Sequence, residues 1–321
     1  MTQGSLTNLA LLSIAAAVLT LALKFGAYAV TGSVGLLSDA VESTVNLVAA
    51  LSALLALWYS ARPVDRTHPY GHEKIEFIAS GIEGLLILVA AGAIGWYAIG
   101  RLLDPQPVEQ LGIGAVVTLL ATLVNLAVAR LMLQVARERE SVVLEADGQH
   151  LMADVLTSAG VIAGLVVVRA TGIEELDPII ALLVALNIVR TGIGLVHMSI
   201  DGLLDRALPE ADQNQIRAVI QRSLEPGSAF HALRTRKAGP RRIVDFHLLL
   251  PGDISVQHAH DVSRRLENAV ESSFPGTETT VHVEPIDEPA SWDDSALLQL
   301  EPEATRLARK SNAAPRSFAP H

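Results

Sequence analysis

Residues 6–200 of this 321-residue chain consist of long, nearly uncharged apolar runs, whereas residues 201–321 have the composition of soluble protein. About 20 apolar residues in a helix cross the ~30 Å hydrocarbon core of a bilayer. Only helices or closed barrels satisfy every backbone polar group there, and these runs are too long and continuous for barrel strands. The N-terminal part is therefore predicted to be a helical membrane domain.

We predict six spanning helices within an all-α transmembrane domain at residues 1–208. Their predicted ranges are 7–30, 35–59, 78–101, 111–134, 146–170 and 177–199. Short loops rich in Lys and Arg face the cytoplasm. The loops on one side carry Arg62, Arg66, Lys74, Arg130, Arg137 and Arg139, against Arg101 and Arg169 on the other. Both termini are therefore expected in the cytoplasm. The compact loops and the lack of a recognisable targeting segment favour a bacterial inner membrane.

The soluble part alternates helix-like and strand-like patterns between residues 209 and 288. Successive segments predict a helix, two strands, a helix and a third strand, at 210–224, 230–237, 243–250, 255–274 and 277–284. This αββαβ order is typical of a small α+β domain with helices on one face of a sheet. Residues 289–321 lack periodicity and are expected to form a disordered tail.

Composition limits the chemistry of the chain. It contains no cysteine, so a metal must be held by His, Asp, Glu or weaker oxygen ligands. Such ligands suit borderline and hard divalent ions. The net charge of −10 argues against nucleic-acid binding.

The fifth predicted span carries His150 and Asp154, and the second carries Glu42 and Asn46, with Asp39 nearby. Residues at i and i+4 share one face of a helix, so each pair can grip one ion. Ionisable residues at membrane depth mark a functional site by default. If the two spans face each other, they offer up to four ligands, the number that a tetrahedral site needs.

The alternative for these groups is a set of structural hydrogen bonds between helices, most of all for Asn46. Lys24 and Asn125, on the first and fourth spans, are interpreted as packing or snorkelling residues.

A second dense group, Asp65, His68 and His72, lies in the loop after the second span, where it could wrap around one ion. The alternative is an interfacial polar loop. A zinc-protease HExxH motif is excluded because Glu76 stands where its second His is required.

The soluble part carries a third group of potential ligands. Its members are His231, His247, His258, His260, His282 and Glu284. His282 and Glu284 share one face of a strand. His258 and His260 cannot both face one way on a helix, and His260 is favoured. The alternative for any single histidine is an ordinary surface position.

Together these motifs resemble the cation diffusion facilitator family over about residues 8–288. The matching elements, in order, are Gly32-Ser33 with Leu37-Ser38-Asp39-Ala40, Asp65-x-x-His68-x-x-x-His72-x-Lys74, Ala146-Asp147 before His150-x-x-x-Asp154, Leu204-Asp205-Arg206-Ala207-Leu208-Pro209, HALRTRKAGPRRIVDFHL from His231, and Val281-His282-Val283-Glu284-Pro285.

The resemblance implies a homodimer of six-helix protomers, each with a ferredoxin-like, metallochaperone-like cytoplasmic domain. It also implies proton-coupled export of Zn²⁺ or a similar ion by alternating access. The transport site would comprise Glu42, Asn46, His150 and Asp154, with Asp39 in the preceding signature. The family usually has Asp or His at the first of these positions and Asp at the second. Zn²⁺ therefore stays open beside Fe²⁺, Mn²⁺ and Co²⁺.

The resemblance carries the other sites over as well. The loop ligands match without change, and Glu284 stands where Asp is more common. The matching cytoplasmic ligands are His231, His247, His260 and His282. Lys74 and Asp205 match a charge interlock between protomers.

Metal ligands in a membrane protein are also compatible with two classes of function other than transport. A membrane-bound metalloenzyme is disfavoured because no catalytic motif accompanies the ligands. A non-transporting metal sensor or scaffold, acting through the C-terminal domain, is the main alternative. Ligand pairs within the membrane favour transport over both. In a transporter His150 is the best proton carrier, because metal binding requires its neutral form.

Overall fold

The computed structural model of the protein describes residues 4–31, 34–104, 113–173 and 175–292. The chain divides between Leu204 and Asp205 into two compact units. The described part of the N-terminal unit contains six long helices, and each predicted span overlaps one of them. They are α1 (Gly4–Thr31), α2 (Val34–Ser60), α3 (Ile75–Leu103), α4 (Ile113–Arg139), α5 (Val142–Thr171) and α6 (Leu176–Leu203).

Four of these helices are long and apolar enough to cross a membrane, namely α1, α3, α4 and α6. In the described part of α2, Asn46–Ser60 form a shorter apolar stretch. Polar side chains interrupt the first half of α5, including Asp147, His150 and Asp154. The helical N-terminal domain of the prediction is thus confirmed, while a count of six spanning helices stays a prediction.

Helix α5 is central to the N-terminal unit, because it contacts α2, α3, α4 and α6. Helices α3 and α6 pack closely at glycines. A Cβ built on Gly192 would lie 3.1 Å from the Gly84 carbonyl oxygen, and one on Gly202 only 2.3 Å from the Phe77 ring. Larger side chains at these two positions would therefore push the helices apart.

The C-terminal unit has the order helix, strand, strand, helix, strand. Its elements are α7 (Glu210–Ser223), β1 (Ala229–Ala238), β2 (Arg241–Leu250), α8 (Val256–Ser273) and β3 (Thr277–Pro285). The sheet order is β1-β2-β3, with β1 antiparallel and β3 parallel to the central strand β2. The predicted α+β domain is confirmed as a small mixed sheet with helices.

The alternation of β2 decides which face of this sheet is the core. Val244, Phe246, Leu248 and Leu250 are at most 2% exposed and pack with apolar residues of α7 and α8. The intervening residue His247 therefore points to the opposite face. The two faces of one strand separate the hydrophobic core from a row of metal-ligand side chains.

The ordered chain continues past β3 into a 3-10 helix at Pro289–Trp292. The indole Nε1 of Trp292 donates a 2.7 Å hydrogen bond to the Ile286 carbonyl oxygen. These four residues, assigned from the sequence to the tail, thus form part of the folded domain. The remainder of the predicted tail, residues 293–321, lies outside the described residues.

Candidate metal sites

Helices α2 and α5 bring Asn46, His150 and Asp154 together inside the N-terminal unit. The Nε2 atom of His150 lies 2.9 Å from Asn46 Oδ1, and Asn46 Nδ2 donates to Asp154 Oδ2. Asn46 and His150 are each 4% exposed. The other residues predicted for this site, Glu42 and Asp39, lie on α2, and their side chains are outside the described part of the structure.

The hydrogen bonds of Asn46 favour the tautomer of His150 that carries a proton on Nε2. A carboxylate only accepts, so the amide nitrogen of Asn46 must face Asp154 and its oxygen must face His150. In this arrangement Nε2 of His150 carries a proton and donates it to the amide oxygen. A metal ion needs Nε2 unprotonated, so a doubly protonated His150 would release one proton on binding, whereas a neutral His150 would carry its proton on Nδ1 instead.

A polar cavity adjoins these residues and draws on four helices. Its lining includes Lys24 from α1, Asn46 from α2, Asn125 from α4, and Asp154 with Thr157 from α5. Lys24 is only 6% exposed. The snorkelling interpretation of this lysine is therefore wrong, because a snorkelling side chain extends to the membrane surface. It lies instead beside the residues proposed to hold the ion.

The loop group lies between α2 and α3. Asp65, His68 and His72 each offer a ligand atom, and these atoms all lie within 4.8 Å of one another. His72 Nε2 is 3.3 Å from Asp65 Oδ2, and the two imidazole centroids are 4.6 Å apart. His72 is buried and rests edge-on against the Tyr59 ring, while Asp65 and His68 are exposed. The loop thus presents one anchored and two accessible ligands.

Asp65 is fixed by its own turn. Its Oδ1 accepts hydrogen bonds from the Thr67 hydroxyl at 2.7 Å, from the Thr67 N–H at 2.8 Å and from the His68 N–H at 2.7 Å. These bonds, led by the one from the Thr67 hydroxyl, hold the pKa of Asp65 well below its usual range. The group therefore stays ionised in acid. Thr67 was missed from the sequence, although a threonine two residues after Asp is a common turn signal.

Strand register builds the cytoplasmic group. His231 of β1 lies opposite His247 of β2, which lies opposite His282 of β3. Neighbouring imidazole centroids along this row are 5.0 and 4.9 Å apart. The Glu284 carboxylate lies 2.9 Å from His231, 3.3 Å from His247 and 3.5 Å from His282. One carboxylate therefore serves three imidazoles.

The three most convergent ligands of this group are His231, His247 and Glu284. A β-bulge follows His231, where Ala232 adopts a positive φ of 53° and the register shifts. The Trp292 ring lies over His231 with centroids 6.1 Å apart. Neither the bulge nor this aromatic cover carries a sequence signal, since alanine gives no hint of a left-handed backbone.

The two histidines of α8 lie apart from this convergent set. His258 Nε2 is 3.0 Å from the Glu225 carboxylate, which also accepts from Arg265. His260 is exposed, and the structure does not bring it to the described ligand group, so its role as a ligand stays a prediction. Asp205 accepts a 3.2 Å hydrogen bond from Arg236 within the C-terminal unit. The interlock of Asp205 with Lys74 likewise stays a prediction.

Glu76 is a further buried residue whose role the sequence did not reveal. Its carboxylate accepts from the Ser60 hydroxyl at 2.9 Å and from the Ser141 hydroxyl at 3.2 Å. These bonds join the end of α2 and the start of α5 to α3. A fixed α5 start positions the ligands that follow on the same helix.

Two protein-family models match nearly all of the described chain. The cation efflux transmembrane domain matches residues 10–204, and the cation efflux protein cytoplasmic domain, a dimerisation domain, matches residues 208–286. The chain belongs to the cation efflux family. The cation efflux family consists of transporters, so this chain is a membrane protein of a metal-transport family whose cytoplasmic domain dimerises.

Two relatives match most of this chain, and one solved structure matches part of it. An uncharacterized transporter of Synechocystis sp. is 45% identical over 283 residues, which cover 88% of this chain and 91% of that one. The cation-efflux pump FieF of Klebsiella pneumoniae is 31% identical over 266 residues, or 83% of this chain and 88% of that one. The solved Zn form of CzrB is 41% identical and covers 26% of this chain and 96% of that one, with a TM-score of 0.25.

Proposed function

We propose that this cation efflux protein is a homodimeric antiporter that exports divalent metal cations from the cytoplasm in exchange for protons. All six helices of the N-terminal unit would span the membrane, a bacterial inner membrane, with both termini in the cytoplasm. The observation that carries this proposal is the buried hydrogen-bonded set of His150, Asn46 and Asp154 between α2 and α5. Such a set is costly inside a bilayer unless it serves the cargo.

The transport site would consist of Glu42, Asn46, His150 and Asp154, with Asp39 as a supporting polar residue. A doubly protonated His150 would release one proton to the cytoplasm as an arriving ion binds at its Nε2 and takes up the amide and carboxylate oxygens. Facing the more acidic side, His150 would be protonated again and the ion released, because metal affinity falls as its ligands take up protons.

Zn²⁺ is the preferred cargo, with Fe²⁺, Mn²⁺ and Co²⁺ as alternatives. One imidazole with oxygen ligands accepts all four ions, and geometry and availability select among them. The imidazole-rich cytoplasmic group favours Zn²⁺, which commonly takes His and carboxylate ligands. Asp65, His68 and His72 would bind a further ion. Ions at the cytoplasmic ligands, including His260, would tighten the dimer, with Lys74 and Asp205 as the interlock between protomers.

The test is metal flux by the purified protein in proteoliposomes that carry a metal-sensitive dye, under a pH gradient and with each of the four ions. His150→Ala or Asp154→Ala should abolish flux while the protein stays folded. His258→Ala is the matched control, because His258 pairs with Glu225 outside the three ligand groups. Normal pH-driven flux in either ligand variant would refute this site.

A non-transporting metal sensor is the second candidate, favoured by the register-built histidine row of the cytoplasmic domain. A sensor predicts metal binding by the wild-type protein without flux of any of the four ions. The same proteoliposomes therefore separate the two functions.

The proposed orientation has a separate test. The chain has no cysteine, so a single cysteine placed at Arg62 or Arg101 is the sole thiol. A thiol reagent that cannot cross membranes should label Arg62→Cys only from the cytoplasmic side and Arg101→Cys only from the other. Labelling of both from the same side would contradict the proposed topology.

A further inference from the structure

Two acidic residues that belong to none of the metal groups are fully buried in the N-terminal unit. Glu83 of α3 is 0% exposed and Asp147 of α5 is 1% exposed. Helices α3 and α5 pack against each other, and the two carboxyl groups interact electrostatically. Two acidic groups are therefore buried together at this helix interface.

The four oxygens of these two carboxyl groups make no hydrogen bond to any described residue. Two buried hydroxyls, Ser13 of α1 and Ser80 of α3, are also without a hydrogen-bond partner in the described chain. Ser13 lies close to Asp147 without a well-formed hydrogen bond. The contrast with Glu76 is direct, because that buried carboxylate is bonded to two serine hydroxyls.

A buried carboxylate without a cation or hydrogen-bond donors is strongly disfavoured as an anion. Two such groups close together cannot both ionise, so the pair retains a proton that an exposed acid would lose. The unpartnered oxygens thus favour a bound positive species, and a proton on one of the two carboxyl groups removes the charge that burial disfavours.

The packing around Glu83 favours a proton over a metal ion. At the next residue, Gly84, a Cβ would lie 3.0 Å from the Gly192 carbonyl oxygen and 3.0 Å from both Leu195 and Val196 of α6. Hard cations need six or more oxygen ligands, usually including water. The close α3–α6 contact beside Glu83 leaves little room for such a shell, whereas a proton needs none.

We propose that Glu83 and Asp147 form a proton-binding site between α3 and α5, separate from the metal ligands. Its link to transport rests on the proposed antiport, but proton binding itself does not. Loss of the proton would place two adjacent anions at the α3–α5 interface, so the proton can leave only when these helices part. Each opening of the interface would then exchange a proton in addition to that of His150.

The neighbouring charges are few among the described residues. On α5, His150 lies one turn from Asp147 and interacts with it electrostatically. Glu76 lies two turns before Glu83 on α3 and is occupied by its serine partners. The α1 neighbour is the Ser13 hydroxyl, and the α6 residues beside Gly84 do not titrate.

Infrared difference spectroscopy of the metal-free full chain at neutral pH tests the proton directly. The wild-type protein should show the carbonyl stretch of a protonated carboxyl group, and Glu83→Gln or Asp147→Asn should remove or shift it. The control Glu76→Gln should leave it in place. Glutamine and asparagine mimic the protonated acids, so both test variants should fold. A band that survives both substitutions, or that only Glu76→Gln removes, would overturn the proposal.

The link to transport has its own readout, the number of protons moved per metal ion in proteoliposomes. Glu83→Gln should bind the metal as tightly as wild type but move fewer protons per ion, with a flatter dependence of flux on pH. A loss of about tenfold or more in metal affinity would instead show that Glu83 belongs to the metal site, and would overturn the proposal of a separate proton site. Wild-type protein without flux would refute the antiport while leaving the infrared result standing.

Discussion

The proposed membrane and cytoplasmic ligand groups are built on different secondary structure, and we expect their chemistry to differ accordingly. Asn46, His150 and Asp154 lie on two helices and bond to one another. The cytoplasmic histidines are fixed side by side by strand register, with Glu284 within 3.5 Å of each. Ligands that bond to one another can exchange those bonds for an ion and recover them. Ligands held by a sheet keep their spacing, which suits a site that retains its ion.

The largest effect is expected for Glu284→Ala at the cytoplasmic group. Its carboxylate contacts all three imidazoles, so its loss should weaken metal binding by this domain by about 10–100-fold. Flux through the membrane site should persist. Calorimetry of the full chain measures the first effect and proteoliposomes the second. Glu278→Ala is the control, since Glu278 of the same strand pairs with Arg241 at 3.2 Å. Unchanged metal affinity in Glu284→Ala would contradict a metal site at this carboxylate.

Asn46→Asp should raise the metal affinity of the membrane group, whereas Glu284→Ala lowers that of the cytoplasmic group. The introduced carboxylate at position 46 adds negative charge beside Asp154, so metal affinity should rise on the order of tenfold. Binding should also depend more steeply on pH, because one more ligand competes with protons. Asn125→Asp is the matched control, since Asn125 lines the same cavity from α4. An equal rise in both variants would show a general charge effect and contradict a ligand role for Asn46.

A smaller effect is expected for Lys24→Gln. The buried positive charge beside Asn46 and Asp154 opposes a dication, so its removal should raise metal affinity on the order of a few-fold. Release would slow correspondingly, which lowers flux at saturating metal. Binding and flux measured on the same preparation separate these two effects. A decrease in affinity would indicate instead that Lys24 orients the ligands.

The smallest effect is expected for Thr67→Val in the loop. Because the pKa of Asp65 is lower in the folded protein than in the unfolded chain, ionised Asp65 stabilises the fold at pH values above the unfolded-state pKa. This stability is lost as the pH falls through the folded-state pKa. Removing the Thr67 hydroxyl moves the pKa of Asp65 up toward its ordinary value while the two N–H bonds remain. The variant should therefore be less stable than wild type at neutral pH, and this difference should disappear in strong acid, as unfolding measured over a range of pH would show. Metal affinity of the loop at neutral pH should be unchanged, and a change in it would indicate that Thr67 contacts the ion.

Sequence patterns predicted the elements better than their ends. Helix α5 begins at Val142, four residues before its predicted start, because its first turns carry polar residues that an apolar pattern does not register. Periodicity placed His282 and Glu284 on one face of a strand and His247 on a neighbouring strand, and strand pairing puts His247 and His282 side by side. The bulge after His231 could not be predicted, since it depends on the positive φ of Ala232.

The spacing of the membrane ligands was likewise readable, but not their bonding. An i, i+4 pattern put His150 and Asp154 on one face, whereas the placement of the Asn46 amide between them depends on how α2 meets α5. No sequence pattern links Glu83 with Asp147, because the two residues lie on different helices, 64 positions apart in the chain. Their proximity is a property of helix packing alone.

The glycine contacts between α3 and α6 also bear on how such a site can open. Where Gly84 and Gly192 meet, the backbones of α3 and α6 approach closely, because neither residue has a side chain. We expect two helices packed in this way to move together. Any rearrangement around the ligands must then take place at the other contacts of α5, and bulky substitutions at Gly192 should disable transport at a distance from every ligand.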